Sequence, residues 1–106
     1  MSEKQASTQA IRIQTERTQY REHSTPLFLT SSFTFPSAEL MRDTFSGEEE
    51  GIIYSRYNNP NTDEFVRKVC MLEGAEAGFA TASGMSAIFA SMAAFLKSGD
   101  HILASR

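Results

Sequence analysis

The sequence has 106 residues, with 10 Lys plus Arg against 13 Asp plus Glu and a formal net charge of −3. That length suits one small domain with a modest core, and the slight acidity argues against nucleic acid or an anionic membrane as the main partner. The single cysteine, Cys70, has no second thiol to pair with in the chain, which points to a reducing, cytoplasmic setting.

The first 24 residues, "MSEKQASTQAIRIQTERTQYREHS", contain no apolar core of a secretory signal. Residues 1–25 are polar, with Ile11, Ile13 and Tyr20 as the few apolar anchors. Such a segment cannot bury enough surface to order itself, so it is either a flexible arm or an arm that packs on something else. "PLFLTSSFTFP" at 26–36 is bounded by two prolines and rich in Phe and Thr, and reads as extended chain. Ser37 is expected to cap a short helix that carries Leu40, Met41, Thr44 and Phe45 on one face, with "SGEEEG" as the loop that ends it. Asn61 is expected to cap the next helix, with Glu64 as its capping-box partner. The apolar face of that helix is Phe65, Val69 and Leu72, with Val66 and Cys70 beside it, and Gly74 stops it. Residues 77–82 then read as a strand and 83–96 as a helix. In the helix Met85, Ile88, Phe89, Met92 and Leu96 recur at helical spacing, and the opposite face is mostly Ala and Ser, so burial nearly all round is expected. Its apolar stretch, 88–96, is about half of what a bilayer span requires. Gly99 ends it and Ile102 opens a second strand. Strand, helix, strand in this order predicts a βαβ unit and an α/β fold with a parallel sheet. Because "GDHILASR" stops just inside the second strand, the protein is expected to continue past Arg106.

Two stretches could carry chemistry. In a βαβ unit the strand-to-helix loop lies at the carboxyl edge of the sheet, where ligands bind. Backbone N–H groups of Ser83-Gly84-Met85 could cradle an anion there, with Gly84 permitting close approach. The alternative is that Gly84 only eases a tight turn. In "YSRYNNPN" (54–61) Arg56 offers a planar charged fork for phosphate oxygens, and Tyr54 places a phenol on the same side of an extended segment. Equally, Arg56 could be a solvated surface cation.

Taken together, "YSRYNNPNT", "LEGAE", "ATASGMSAI" and "GDHILASR" resemble the Cys/Met-metabolism family of pyridoxal-5′-phosphate (PLP) enzymes. That family includes cystathionine γ-synthases, cystathionine γ-lyases, methionine γ-lyases and the homoserine-ester sulfhydrylases. The resemblance runs from about Thr15 onward. It departs at Asn61, where the family more often has Thr; both residues cap helices. "RTQYREHSTPLFLTSSFTF" and "TASGMSAI" are most similar to the sulfhydrylases that act on O-succinylhomoserine. The resemblance implies the N-terminal part of a fold-type I, aspartate-aminotransferase-like enzyme. Residues 1–60 would be an arm contacting a neighbouring subunit, and 61–106 the beginning of the PLP-binding domain with its first βαβ. It implies that Gly84 and Met85 hold the PLP phosphate by backbone N–H groups, and that Tyr54 and Arg56 reach the phosphate of the neighbouring subunit's cofactor. It also implies small-molecule substrates (an O-acylhomoserine and sulfide, in methionine biosynthesis) and a homo-oligomer, a dimer of dimers. Synthase and lyase activities stay open at this point, as does a phosphate-binding piece without turnover.

None of Lys4, Lys68 and Lys97 matches the family's cofactor lysine, which is expected far downstream, so no catalytic residue is assigned within the 106. Lys4 belongs to the arm, Lys68 to the polar side of its helix, and Lys97 to the last helical turn. His23 and His101 lack ligand companions, so no metal site is expected. Cys70 is read as a core thiol, and the side chains of Met85, Phe89 and Met92 as core packing.

Overall fold

The computed structural model describes residues 3–105. Four helices follow in chain order: α1 (Glu3–Arg12), α2 (Ala38–Ser46), α3 (Pro60–Glu73) and α4 (Gly84–Ala93). α1 was not foreseen. Its sequence, EKQASTQAIR, consists mainly of residues with good helix propensity, its last turn carries Arg12, and it packs against α3.

α2 starts and stops as its sequence predicts. The Ser37 hydroxyl accepts the Leu40 N–H at 3.2 Å, and Gly47 (φ 80) turns its N–H back onto the Asp43 and Thr44 carbonyls. The ring of Phe45 lies 6.3 Å from that of Phe35, which folds the extended 26–36 segment against the helix. Gly74 (φ 65) closes α3 in the same way, its N–H reaching the Cys70 carbonyl.

The start of α3 differs from expectation. Asn59, not Asn61, is the N-cap; its backbone is extended (φ −148, ψ 140) and its side chain accepts the Asn61 N–H at 2.9 Å. Pro60 explains the shift. Proline is suited to the first helical position, where its missing N–H costs nothing, and it drives the preceding residue into the extended region a cap requires. Asn61 and Glu64 are thereby released from capping, and both turn to the arm. Asn61 accepts the Phe28 N–H at 2.8 Å and donates to the Pro26 carbonyl at 2.7 Å. The Glu64 carboxylate accepts the Thr15 N–H at 2.9 Å and the Thr25 hydroxyl, and pairs with Lys68 at 2.7 Å. Thr15 also donates to the Pro60 carbonyl at 3.1 Å. The arm is thus ordered by hydrogen bonds to one helix end rather than by a core of its own.

The predicted βαβ unit does not form. Among the described residues no strand is present, and the single β pairing is an isolated antiparallel bridge, Ser32 to Tyr54. Residues 77–82 run beside α3, close enough that a Cβ on Gly78 would lie 2.9 Å from Cys70 Sγ, but no neighbour accepts their ladder hydrogen bonds. Extended chain becomes a strand only when a second strand pairs with it. Residues 102–105 are likewise outside any strand.

The expected core is also absent. Among the described residues no aliphatic or aromatic side chain is buried; the buried positions are Thr44, Asn59, Pro60 and Glu64. The residues of α4 predicted to be buried all round face solvent, Met85 at 72% and Phe89 at 71% exposure, and so do Phe65 and Leu72 of α3. α4 also ends three residues early, at Ala93, so Lys97 lies beyond the helix rather than in its last turn. The radius of gyration, 17.8 Å, exceeds the roughly 13 Å of a compact chain of this length. Apolar periodicity creates a face; covering it requires a second layer, which these residues do not supply.

Candidate functional site

The segment expected to be extended at Tyr54 is a turn. The N–H groups of Tyr57 and Asn58 both reach the Tyr54 carbonyl, at 2.9 and 3.2 Å. Tight turning swings Arg56 back over its neighbours: its guanidinium carbon lies 4.9 Å from the Tyr54 ring centroid and 5.7 Å from that of Tyr57. Stacking on two π faces orients a guanidinium without occupying its N–H donors. Among the described residues no carboxylate pairs with Arg56, and its side chain is exposed. A planar cation with its donors free suits a phosphate.

The second element is the start of α4. Ser83, expected as the first helical residue, is instead its N-cap, with extended backbone. The Ser83 hydroxyl accepts the Ser86 N–H at 3.2 Å and its carbonyl accepts the Ala87 N–H at 3.1 Å. Among the described residues nothing accepts the N–H groups of Gly84 and Met85. They are among the donors a helix N-terminus leaves over, aligned with the positive end of its dipole. Gly84 does not adopt a positive φ, and a Cβ built on it would meet nothing within 4 Å. The backbone therefore does not require glycine here for a turn. What glycine leaves open is the space outside those amides.

Arg56 lines a cleft of about 550 Å³ with Asp63, Arg67 and residues 78–82. Tyr54, Gly84 and Met85 are not part of its lining. The charged groups inside it are two arginines and one carboxylate, a balance that favours an anion.

Neither Lys68 nor Lys97 lines this cleft. Lys68 is committed to Glu64, and Lys97 lies past α4, its backbone N–H donating to Asp100 at 2.7 Å. Lys4 belongs to α1. Glu64 resists protonation: burial alone would raise its pKa, but hydrogen bonds from Lys68, Thr25 and the Thr15 N–H outweigh that and bring it from 4.5 to about 2. Hydrogen bonds from Thr18 lower the pKa of Glu22 in a similar, more exposed arrangement. Among the described residues no three His, Cys, Asp or Glu side chains gather as metal ligands, and no helix is long and apolar enough to cross a membrane.

Sequence reasoning singled out Tyr54, Arg56, Gly84 and Met85 but not the residues that hold them. Ser55 and Asn59 link the Arg56 turn to the arm, and Thr15 and Thr25 complete the Glu64 cluster. The one local signal was the density of amides in "NNPN".

Comparison with known proteins gives these features a context. The model of the Cys/Met metabolism PLP-dependent enzyme family matches residues 7–106. The chain is 48% identical over 99 residues to an O-succinylhomoserine sulfhydrylase of Pseudomonas aeruginosa, covering 93% of this chain and 25% of that protein. It is 43% identical over 83 residues to an L-methionine gamma-lyase of Porphyromonas gingivalis, covering 78% of this chain and 21% of that protein. A crystal structure from Campylobacter jejuni, assigned as an O-acetylhomoserine (thiol)-lyase and containing N′-pyridoxyl-lysine-5′-monophosphate, superposes with a TM-score of 0.83 at 29% identity, covering 90% of this chain and 23% of that one. The chain thus spans about a quarter of the length of the curated relatives it matches.

Proposed function

The chain belongs to the Cys/Met metabolism PLP-dependent enzyme family, and from that premise we propose that it is the N-terminal quarter of an O-succinylhomoserine sulfhydrylase. The full-length protein would make homocysteine from an O-acylhomoserine and sulfide, a γ-replacement in methionine biosynthesis, in the cytoplasm. PLP, when bound, supplies the electron sink for carbanion chemistry at the substrate's α and β carbons. The single observation that carries the residue assignment is the pair of unpaired amides at Gly84 and Met85, with open space beyond Gly84.

The residues of this chain bind and orient. The amides of Gly84 and Met85 donate to the phosphate from the start of α4. Arg56, stacked on Tyr54 and Tyr57, presents its fork to a phosphate from a separate segment. In a site shared between subunits, Tyr54 and Arg56 would serve the neighbour's cofactor. Residues 1–60 would then act as an arm toward that neighbour within a dimer of dimers, and 61–106 as the beginning of the PLP-binding domain.

Turnover of the full-length protein with O-succinylhomoserine, O-acetylhomoserine and methionine as alternative substrates tests the reaction. Homocysteine formation from O-succinylhomoserine and sulfide is expected to dominate. Dominant release of methanethiol from methionine would assign the protein instead to γ-elimination, the activity named for the Porphyromonas relative.

Gly84→Val tests the phosphate assignment. Negative φ and open space at residue 84 mean that a β-branched side chain there costs well under about 1 kcal/mol of helix propensity. The apo form of the full-length variant is expected to melt within a degree or two of wild type, while PLP binds at least about tenfold more weakly. A well-folded variant that titrates with PLP as wild type does would remove Gly84 from the site.

A further inference from the structure

The turn that carries Tyr54 and Arg56 is tied to the arm by two side chains that the proposed chemistry does not use. Asn59 is 8% exposed, yet every polar atom of its side chain is engaged. Its Oδ1 caps α3, and its Nδ2 donates to the Phe28 carbonyl and to Ser55 Oγ, both at 3.0 Å. Ser55, between Tyr54 and Arg56, donates its hydroxyl to the Thr30 carbonyl and its N–H to the Ser31 carbonyl at 2.9 Å. The isolated bridge from Ser32 to Tyr54 completes the attachment. Capping α3 requires only the Oδ1 acceptor. The two donor bonds from Nδ2 serve the turn.

We propose that Asn59 and Ser55 are positioning residues: together they hold the Tyr54–Arg56 turn against the carbonyls of Phe28 and Thr30, so that the arm sets where the Arg56 fork points. The inference rests on the reading that Arg56 binds the PLP phosphate. Stacking on Tyr54 and Tyr57 fixes the tilt of the guanidinium relative to the turn, but not the turn relative to the rest of the molecule. That second constraint comes from Ser55, whose backbone and side chain both bind the arm, and from Asn59, which bridges Ser55, the arm and the start of α3 in one buried group. Because the network is closed, losing one member frees the turn to rotate without unfolding α3.

Asn59→Ser in the full-length protein isolates the role. Serine is as good a helix cap as asparagine, but it carries no amide to reach Phe28 and Ser55. PLP affinity of the apo form, measured by titration, is expected to fall about three- to tenfold, the weight of a lost neutral hydrogen bond or two. Ser55→Ala is expected to fall in the same range, and Ser55→Thr, which restores the hydroxyl, to stay within about twofold of wild type. In an Arg56→Ala background the further loss from Asn59→Ser should shrink below about twofold, because the group being positioned is gone. If Asn59→Ser and Ser55→Ala leave PLP affinity unchanged while Arg56→Ala weakens it, the positioning role is overturned. The same holds if Asn59→Ser costs as much with Arg56 absent as with it present. If Arg56→Ala itself leaves affinity unchanged, the phosphate reading fails, and this inference fails with it. Should Asn59→Ser not fold, the Ser55 pair decides by the same criteria, since Ser55 is neither a cap nor fully buried.

Discussion

Replacing Glu64 by alanine is expected to release the arm from α3 and to destabilise the full-length protein by about 2–4 kcal/mol. Three groups lose their acceptor together: the Thr15 N–H, the Thr25 hydroxyl and the Lys68 ammonium. They do not weigh equally. The Lys68 side chain is 31% exposed and can recover water, and an i,i+4 ion pair on a helix contributes only about 0.5 kcal/mol. The Thr15 and Thr25 donors are bound to a charged acceptor that is itself buried, and hydrogen bonds to charged groups contribute about 1.5–3 kcal/mol each before compensation. The cost therefore falls on the attachment of residues 15–25. Limited proteolysis should cut Glu64→Ala between about residues 13 and 25 well before wild type, with a melting temperature lower by several degrees. Equal melting and an arm equally resistant to cleavage would show that Glu64 does not hold it.

The same cluster has a defined pH signature. Glu64 has its pKa lowered from 4.5 to about 2 by binding, so its contribution to stability is complete above pH 4.5. As pH falls from 4.5 toward 2 the folded form must take up a proton that the unfolded chain already carries, and the contribution is lost. Other carboxylates titrate in the same range, so the informative quantity is a difference. The stability gap between wild type and Glu64→Gln should be constant from neutral pH down to about 5 and close progressively below it. A gap independent of pH down to 3 would mean that the Glu64 charge is not what binds the arm.

Arg56→Ala is expected to weaken PLP binding by the full-length enzyme about ten- to a hundredfold, the equivalent of one charge-assisted phosphate contact. Alanine also removes the stacking on Tyr54 and Tyr57, so Arg56→Lys is a useful companion: it keeps the charge but loses the planar fork and should recover only part of the affinity. If the contact crosses between subunits, co-expressing Arg56→Ala chains with chains lacking the cofactor lysine should create hybrids with one competent site. That site would combine Arg56 from the lysine-deficient chain with the lysine of the other. Hybrids with no more activity than either parent would place Arg56 beside its own chain's cofactor.

Much of the local architecture was legible in the sequence, because caps and stops are decided by neighbouring residues. Ser37 caps where predicted, and Gly47 and Gly74 take the left-handed conformations that end α2 and α3. The family was legible from "YSRYNNPNT" and "ATASGMSAI", and the family model matches residues 7–106. Tertiary structure decided the rest. Three asparagines in "NNPN" were chemically able to cap α3, and Pro60 together with the arm's carbonyls selected Asn59 for that role and sent Asn61 to the arm. Glu64 had the spacing of a capping-box partner, but Thr15 and Thr25, 49 and 39 residues away in sequence, claimed its oxygens instead. The predicted strands and the buried face of α4 failed for a related reason. Alternation and helical periodicity state what a segment can bury or pair, whereas a strand or a core exists only when a second surface meets it, and sequence-local patterns carry no record of that surface.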